Sequence, residues 1–146
     1  MKRDCVILIA EQNEEHLNLM KNGLLHAGVN NDIVHFADGR QTLDFLFDIT
    51  QKSDGELEGR EYILFMDIDL PQVGGIEILE KIKADNMLSK VPVIVLAAAD
   101  EPKIIDRCYD LGCCTYIVKP AEDEAFRQSI TKIGNFLTVV EMASLR

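Results

Sequence analysis

The chain has 146 residues, 47% of them hydrophobic, and a formal net charge of -10. That length accommodates one compact domain with an ample core, residues 1–146, and leaves no room for a separate output domain. The acidity argues against a nucleic-acid partner, because such binders present basic surfaces, and leaves proteins or cations as the expected partners. The opening apolar run, Cys5 to Ala10, is too short to cross a membrane and too acid-interrupted for a signal peptide, so a cytoplasmic protein is expected.

Taken in order, the chain alternates strand and helix. Cys5 to Ala10 reads as a buried strand, followed by a helix capped by Asn13, with Leu17, Met20, Leu24 and Leu25 on one face and closure at Gly28. Asp32 to Phe36 is a second strand, and Asp38-Gly39 opens a helix with Leu43, Leu46 and Phe47 inward. Between Thr50 and Glu61 the chain turns polar, which predicts its longest and most mobile loop. Ile63 to Met66 then delivers two carboxylates, Asp67 and Asp69, to a loop broken by Pro71, Gly74 and Gly75. A helix over Gly75 to Ala84 carries Ile76, Leu79 and Ile82. A strand over Pro92 to Leu96, a helix from about Glu101 to Leu111 and a strand over Thr115 to Val118 follow. The last helix, about Asp123 to Val140, carries Phe126, Ile130, Ile133, Phe136 and Leu137. This alternation with short connections predicts an α/β fold: a flavodoxin-like (βα)5, doubly wound parallel sheet.

Cys5, Cys108, Cys113 and Cys114 form no C-x-x-C, so reduced packing thiols are expected. His16, His26 and His35 lack zinc-ligand spacing. In a 2-1-3-4-5 strand order the first and third strands are neighbours, which brings Glu11 near Asp67, with Lys119 over the same edge. A nucleophilic carboxylate, a second acid for a hard cation and a lysine for anionic oxygens suit phosphoryl transfer to aspartate, with magnesium neutralising charge.

The stretches Ile7 to Asn13, Phe65 to Pro71 with Gly74-Gly75, Pro92 to Leu96, and Tyr116 to Pro120 resemble a response regulator receiver domain over nearly the whole chain. Glu15-His16-Leu17, Leu43 to Phe47, the polar loop and Tyr109 to Gly112 are similar to the small stand-alone regulators of phytochrome histidine kinases. The resemblance implies a cytoplasmic two-component signalling protein rather than an enzyme. In it Asp67 is the phosphoacceptor, Lys119 contacts phosphoryl oxygen and Tyr116 is the aromatic switch. It also implies Mg2+ held by Glu11, Asp67, the Asp69 carbonyl and the position of Gln12, and a cis Lys119-Pro120 bond, the minority isomer for proline in general.

Two positions depart from that pattern. Gln12 stands where the family has a second acid, and a neutral ligand weakens attraction for magnesium. Ala97 stands where the family has a hydroxyl residue, so one phosphoryl hydrogen bond is lost and coupling to Tyr116 is weakened. A degenerate receiver, acting as a phosphorylation-independent binding or dimerisation module, is therefore the alternative. A third reading treats Asp67-Ile68-Asp69 as the nucleophile motif of a haloacid-dehalogenase-like phosphatase, but that fold places it after the first core strand and wants a hydroxyl where Ala97 stands. A flavodoxin binding FMN fits less well, because Glu11 to Glu15 lacks a phosphate cradle. Receivers associate through their fourth helix, fifth strand and fifth helix, and the apolar tail Phe136 to Val140 is compatible with a homodimer.

Overall fold

The computed structural model describes residues 1–51 and 61–141. Five strands, β1 (Val6–Ala10), β2 (Ile33–Phe36), β3 (Tyr62–Asp67), β4 (Val93–Ala97) and β5 (Thr115–Val118), alternate with five helices. These are α1 (Glu14–His26), α2 (Gly39–Thr50), α3 (Gly75–Ala84), α4 (Pro102–Asp110) and α5 (Asp123–Leu137). All strand pairs are parallel and the order is β2-β1-β3-β4-β5, the predicted topology. Most of the loop expected between Thr50 and Glu61 lies outside the described residues.

Alternation along the strands divides the core into two layers. Leu8, Leu64, Met66 and Val95 face α2, α3 and α4 through Leu43, Leu46, Ile78, Leu79 and Cys108. Ile7, Ile9, Ile63, Phe65 and Leu96 face α1 and α5 through Leu17, Met20, Leu24, Phe126 and Ile130. Helices on both faces bury the three central strands, β1, β3 and β4, almost completely, which is why those strands read as continuous apolar runs rather than alternating ones.

Helix starts follow their caps. Asn13 Oδ1 accepts from the backbone N–H of His16 at 3.0 Å and Asp38 Oδ1 from that of Gln41 at 2.8 Å. The helices α1 and α5 approach closely because Gly23 sits at their crossing: a Cβ there would lie 2.8 Å from the Arg127 carbonyl oxygen. Thr131 Oγ1 instead donates to the Gly23 carbonyl at 2.9 Å across the same contact.

Several inward assignments need correcting. Leu25 and Phe47, expected inward, are exposed, at 61% and 38%; Phe136, in the tail read as compatible with a homodimer, is exposed at 62%. Each adjoins the residue that is buried, Leu24, Leu46 and Leu137, and one step along a helix turns about 100° away from the apolar stripe. In α3 the innermost positions are Ile78, Leu79 and Ile82, with Ile76 only half-buried. The Lys119-Pro120 bond is trans, contrary to the family-based expectation, and no described peptide bond is cis; trans is the ground state of an X-Pro bond by about 0.5–1 kcal/mol.

Candidate functional site

The carboxyl ends of β1, β3 and β5 converge on one ammonium group. Asp67 is the last residue of β3 and its backbone register places it opposite Leu96. Glu11 follows β1, pinned at the edge by its N–H donating to the Phe36 carbonyl at 3.0 Å and by His35 Nε2 donating to its own carbonyl at 2.8 Å. Lys119 follows β5, its N–H donating to the Ala97 carbonyl at 2.7 Å. These ties fix three side-chain origins before any side-chain contact forms.

Lys119 Nζ then donates to Glu11 Oε1 at 2.6 Å and to Asp67 Oδ2 at 2.5 Å. The side chains of Lys119 and Glu11 are more than nine-tenths buried and that of Asp67 is 14% exposed, so this ionic cluster works in a medium less screening than water. The remaining carboxylate oxygens are occupied by backbone donors: Asn13 N–H to Glu11 Oε2 at 3.1 Å and Asp69 N–H to Asp67 Oδ1 at 2.8 Å. Two carboxylates and one ammonium leave the cluster with one net negative charge, open to solvent on the Asp67 side.

The ammonium has a third partner. His16 Nδ1 lies 3.1 Å from Lys119 Nζ and 3.7 Å from Glu11 Oε1. The shorter contact decides the ring's role: lysine only donates, so Nδ1 accepts and the ring proton resides on Nε2, whereas the longer one is beyond hydrogen-bond length. His16 also meets the Phe126 ring edge-on, centroids 5.5 Å apart, and Lys119 Nζ lies 5.8 Å from the centre of the same ring. His16 and Phe126 are the site residues that sequence reasoning missed. The signal available was His16's place three residues after the Asn13 cap, in the first turn of α1.

The other predicted residues stand farther out. Gln12 and Asp69 are exposed, and among the described residues neither side chain forms a hydrogen bond. Ala97 is fully buried at the end of β4 and offers the site only backbone. Tyr116 is half-buried, its hydroxyl donating to the Ala99 carbonyl at 2.9 Å and its N–H donating to Tyr109 Oη at 3.1 Å. Burial, followed by the negative charges near it, holds its phenol above the ordinary tyrosine range. Among the described residues no three His, Cys, Asp or Glu side chains are grouped as metal ligands. The donor set still suits a hard cation, since magnesium is commonly held through one or two carboxylates and waters, and a carboxylate has about four acceptor positions, of which Glu11 and Asp67 each use two.

A doubly wound parallel sheet with acids and a lysine gathered at its carboxyl edge defines a class, the flavodoxin-like α/β domains that act at a strand switch point. The family model for the response regulator receiver domain matches residues 7–131, and the chain belongs to that family. It is similar to a receiver domain from Rhodospirillum rubrum, at 35% identity and a TM-score of 0.88, covering 97% of this chain and 99% of that one. It is also similar to the phosphorylated cyanobacterial phytochrome response regulator RcpA, at 27% identity and a TM-score of 0.83, with coverage of 97% and 99%. Response regulator Rcp1 of Synechocystis is 26% identical over 114 residues, 78% of this chain and 76% of Rcp1. Of some other curated relatives the chain spans only 30% and 21%. The protein is thus a two-component response regulator receiver, homologous to phytochrome response regulators; such domains are signalling modules and in general bind Mg2+. Among the described residues no helix is long and apolar enough to cross a membrane.

Proposed function

We propose that Asp67 accepts a phosphoryl group from the phosphohistidine of a histidine kinase and that the phosphorylated protein signals through altered protein contacts. The observation that carries this reading is Lys119 Nζ bridging Glu11 and Asp67 at 2.6 and 2.5 Å at the exposed end of β3. In the transfer an Asp67 carboxylate oxygen forms a bond to phosphorus while the phosphorus–nitrogen bond to the kinase imidazole breaks, and the imidazole leaves with the bonding pair and takes up a proton. Lys119 holds the carboxylate against β5 and moves an N–H onto a phosphoryl oxygen. Glu11, Asp67, the Asp69 carbonyl and the Gln12 amide oxygen are the groups that would hold Mg2+, which neutralises charge on carboxylate and phosphoryl alike. Because Gln12 is neutral, Gln12→Asp is expected to lower the magnesium concentration needed for half-maximal phosphorylation about tenfold or more.

The similarity to RcpA and Rcp1 supports a phytochrome-type kinase as the donor. The exposed Phe136 and Val139 at the end of α5 support a homodimer contact. A second reading, a phosphorylation-independent binding module, is favoured by the buried Ala97, which leaves a phosphoryl oxygen without its hydroxyl donor. Incubation with acetyl phosphate and magnesium separates the two. A mass gain of one phosphoryl group, absent in Asp67→Asn, is expected; no gain at any magnesium concentration would favour the binding module.

A further inference from the structure

Lys119 is an ammonium with three N–H donors, and all three are engaged: Glu11 Oε1 at 2.6 Å, Asp67 Oδ2 at 2.5 Å and His16 Nδ1 at 3.1 Å. A phosphoryl oxygen arriving at Asp67 therefore meets a lysine with no free donor. One of its three bonds must open. The ammonium makes all three bonds charge-assisted, but those to the carboxylates also join opposite charges and are shorter, at 2.6 and 2.5 Å against 3.1 Å, so the bond to the imidazole is the weakest of the three. The imidazole is also the most exposed of the three partners, at 34% against 3% and 14%, so water can replace its lost bond at least cost.

We propose that His16 is a positioning residue for phosphoryl transfer: its Nδ1 holds the third N–H of Lys119 in the resting protein and gives it up to the incoming phosphoryl oxygen. The inference rests on the reading of Asp67 as phosphoacceptor. Until the phosphoryl group arrives, Nδ1 keeps the ammonium turned inward, where it spans both carboxylates. The Asn13 cap fixes the backbone of His16 and a T-shaped contact with Phe126 holds its ring, which favours a lysine that moves away from the imidazole. Release therefore separates Nδ1 from Nζ rather than carrying the pair along. Ala97 sharpens the requirement: with no hydroxyl on β4, Lys119 is the side-chain donor left for that oxygen.

The chain contains three histidines; His26, at the far end of α1, serves as the internal control, whereas His35 touches the Glu11 carbonyl. Protein labelled with 15N-histidine is treated with acetyl phosphate and magnesium, and ring-nitrogen spectra are recorded beside the intact mass. With the phosphoryl mass present, the His16 Nδ1 resonance is expected to move towards that of a free imidazole nitrogen while that of His26 stays in place. In kinetics, His16→Leu leaves one donor of Lys119 uncommitted and is expected to accelerate phosphorylation by acetyl phosphate about tenfold or more, the lower end of the range of one hydrogen bond to a charged group. His16→Asn, which offers an amide oxygen at a similar reach, is expected to restore the slower rate. A full phosphoryl mass with the His16 resonance unmoved overturns the inference while leaving the acceptor reading intact. Equal rates in wild type, His16→Leu and His16→Asn overturn it as well, and no phosphoryl mass at all overturns the acceptor reading and this inference together.

Discussion

Single residues set the strength of this site more than its layout does. Glu11, Asp67 and Lys119 are gathered at one edge, yet the end of β4 presents Ala97, fully buried, where a hydroxyl would complete the proposed phosphoryl cradle. A hydrogen bond to a charged group is worth about 1.5–3 kcal/mol, so Ala97→Ser is expected to tighten binding of beryllium trifluoride, an acyl-phosphate mimic, about tenfold or more. Titration followed by the resonances of Tyr116 checks this, and an unchanged affinity would mean that β4 does not reach the bound group. Lys119 was legible in the sequence because it follows the short β-rich run of β5, itself only partly buried, and Asp67 because it terminates the apolar run of a buried strand. Glu11 was legible for the same reason. His16 was not, because its role depends on α1 crossing the end of β5, and a helix's distance from a strand more than 100 residues away is not written in either segment. The expected cis Lys119-Pro120 bond failed for a different reason: it was carried over from the family and had no local cause in these residues.

At the scale of elements, periodicity placed the five strands and five α-helices with small errors at their ends, missed the short 3-10 turn Leu88–Lys90, and misjudged the facing of Leu25, Phe47 and Ile76. What it could not show is how loops brace each other behind the site. Gly39 begins α2 and donates to the Pro71 carbonyl at 2.9 Å, in the loop that follows Asp67. A Cβ at Gly39 would fall 1.8 Å from the Val73 carbonyl oxygen, a backbone atom that moves only with the loop. That loop is already committed, with Leu70 and Val73 buried and Gln72 held at a φ of 72°. Gly39→Ala is therefore expected to cost about 3 kcal/mol, in the range of overpacked sites, and to shift the Asp67 and Asp69 backbone resonances as well. Urea unfolding measures the first effect and an amide spectrum the second. Loss of stability with unmoved resonances at Asp67 would show that α2 and the acidic loop are not mechanically joined.

Across the whole molecule, the sheet buries thiols on both faces and leaves one outside. All four cysteines are free; Cys5, Cys108 and Cys113 are buried and Cys114 is exposed. At the amino end of the sheet, Cys5 lies in the layer under α1 and α5, and burial, reinforced by the charge of Glu61, pushes its thiol from 9.0 up to about 12. The Glu61 carboxylate is itself buried without a hydrogen bond, with Lys2 Nζ at 3.6 Å. On the other face, burial pushes Cys113 up to about 11. The sign of the consequence follows from linkage. An unfolded chain loses these protons near pH 9, whereas the folded one keeps them to about 11 or 12, so between those values the unfolded state binds fewer protons and stability falls with rising pH. The contribution is full below pH 9 and drains away through the window above it. The midpoint of urea unfolding is accordingly expected to decline from pH 9 upward, and Cys5→Val, which keeps an apolar side chain under α1 and α5 but has no proton to lose, is expected to flatten the decline. The same steepness in Cys5→Val and wild type would remove Cys5 from the cause and leave Cys108, Cys113 and Tyr116, all also raised by burial, to carry it.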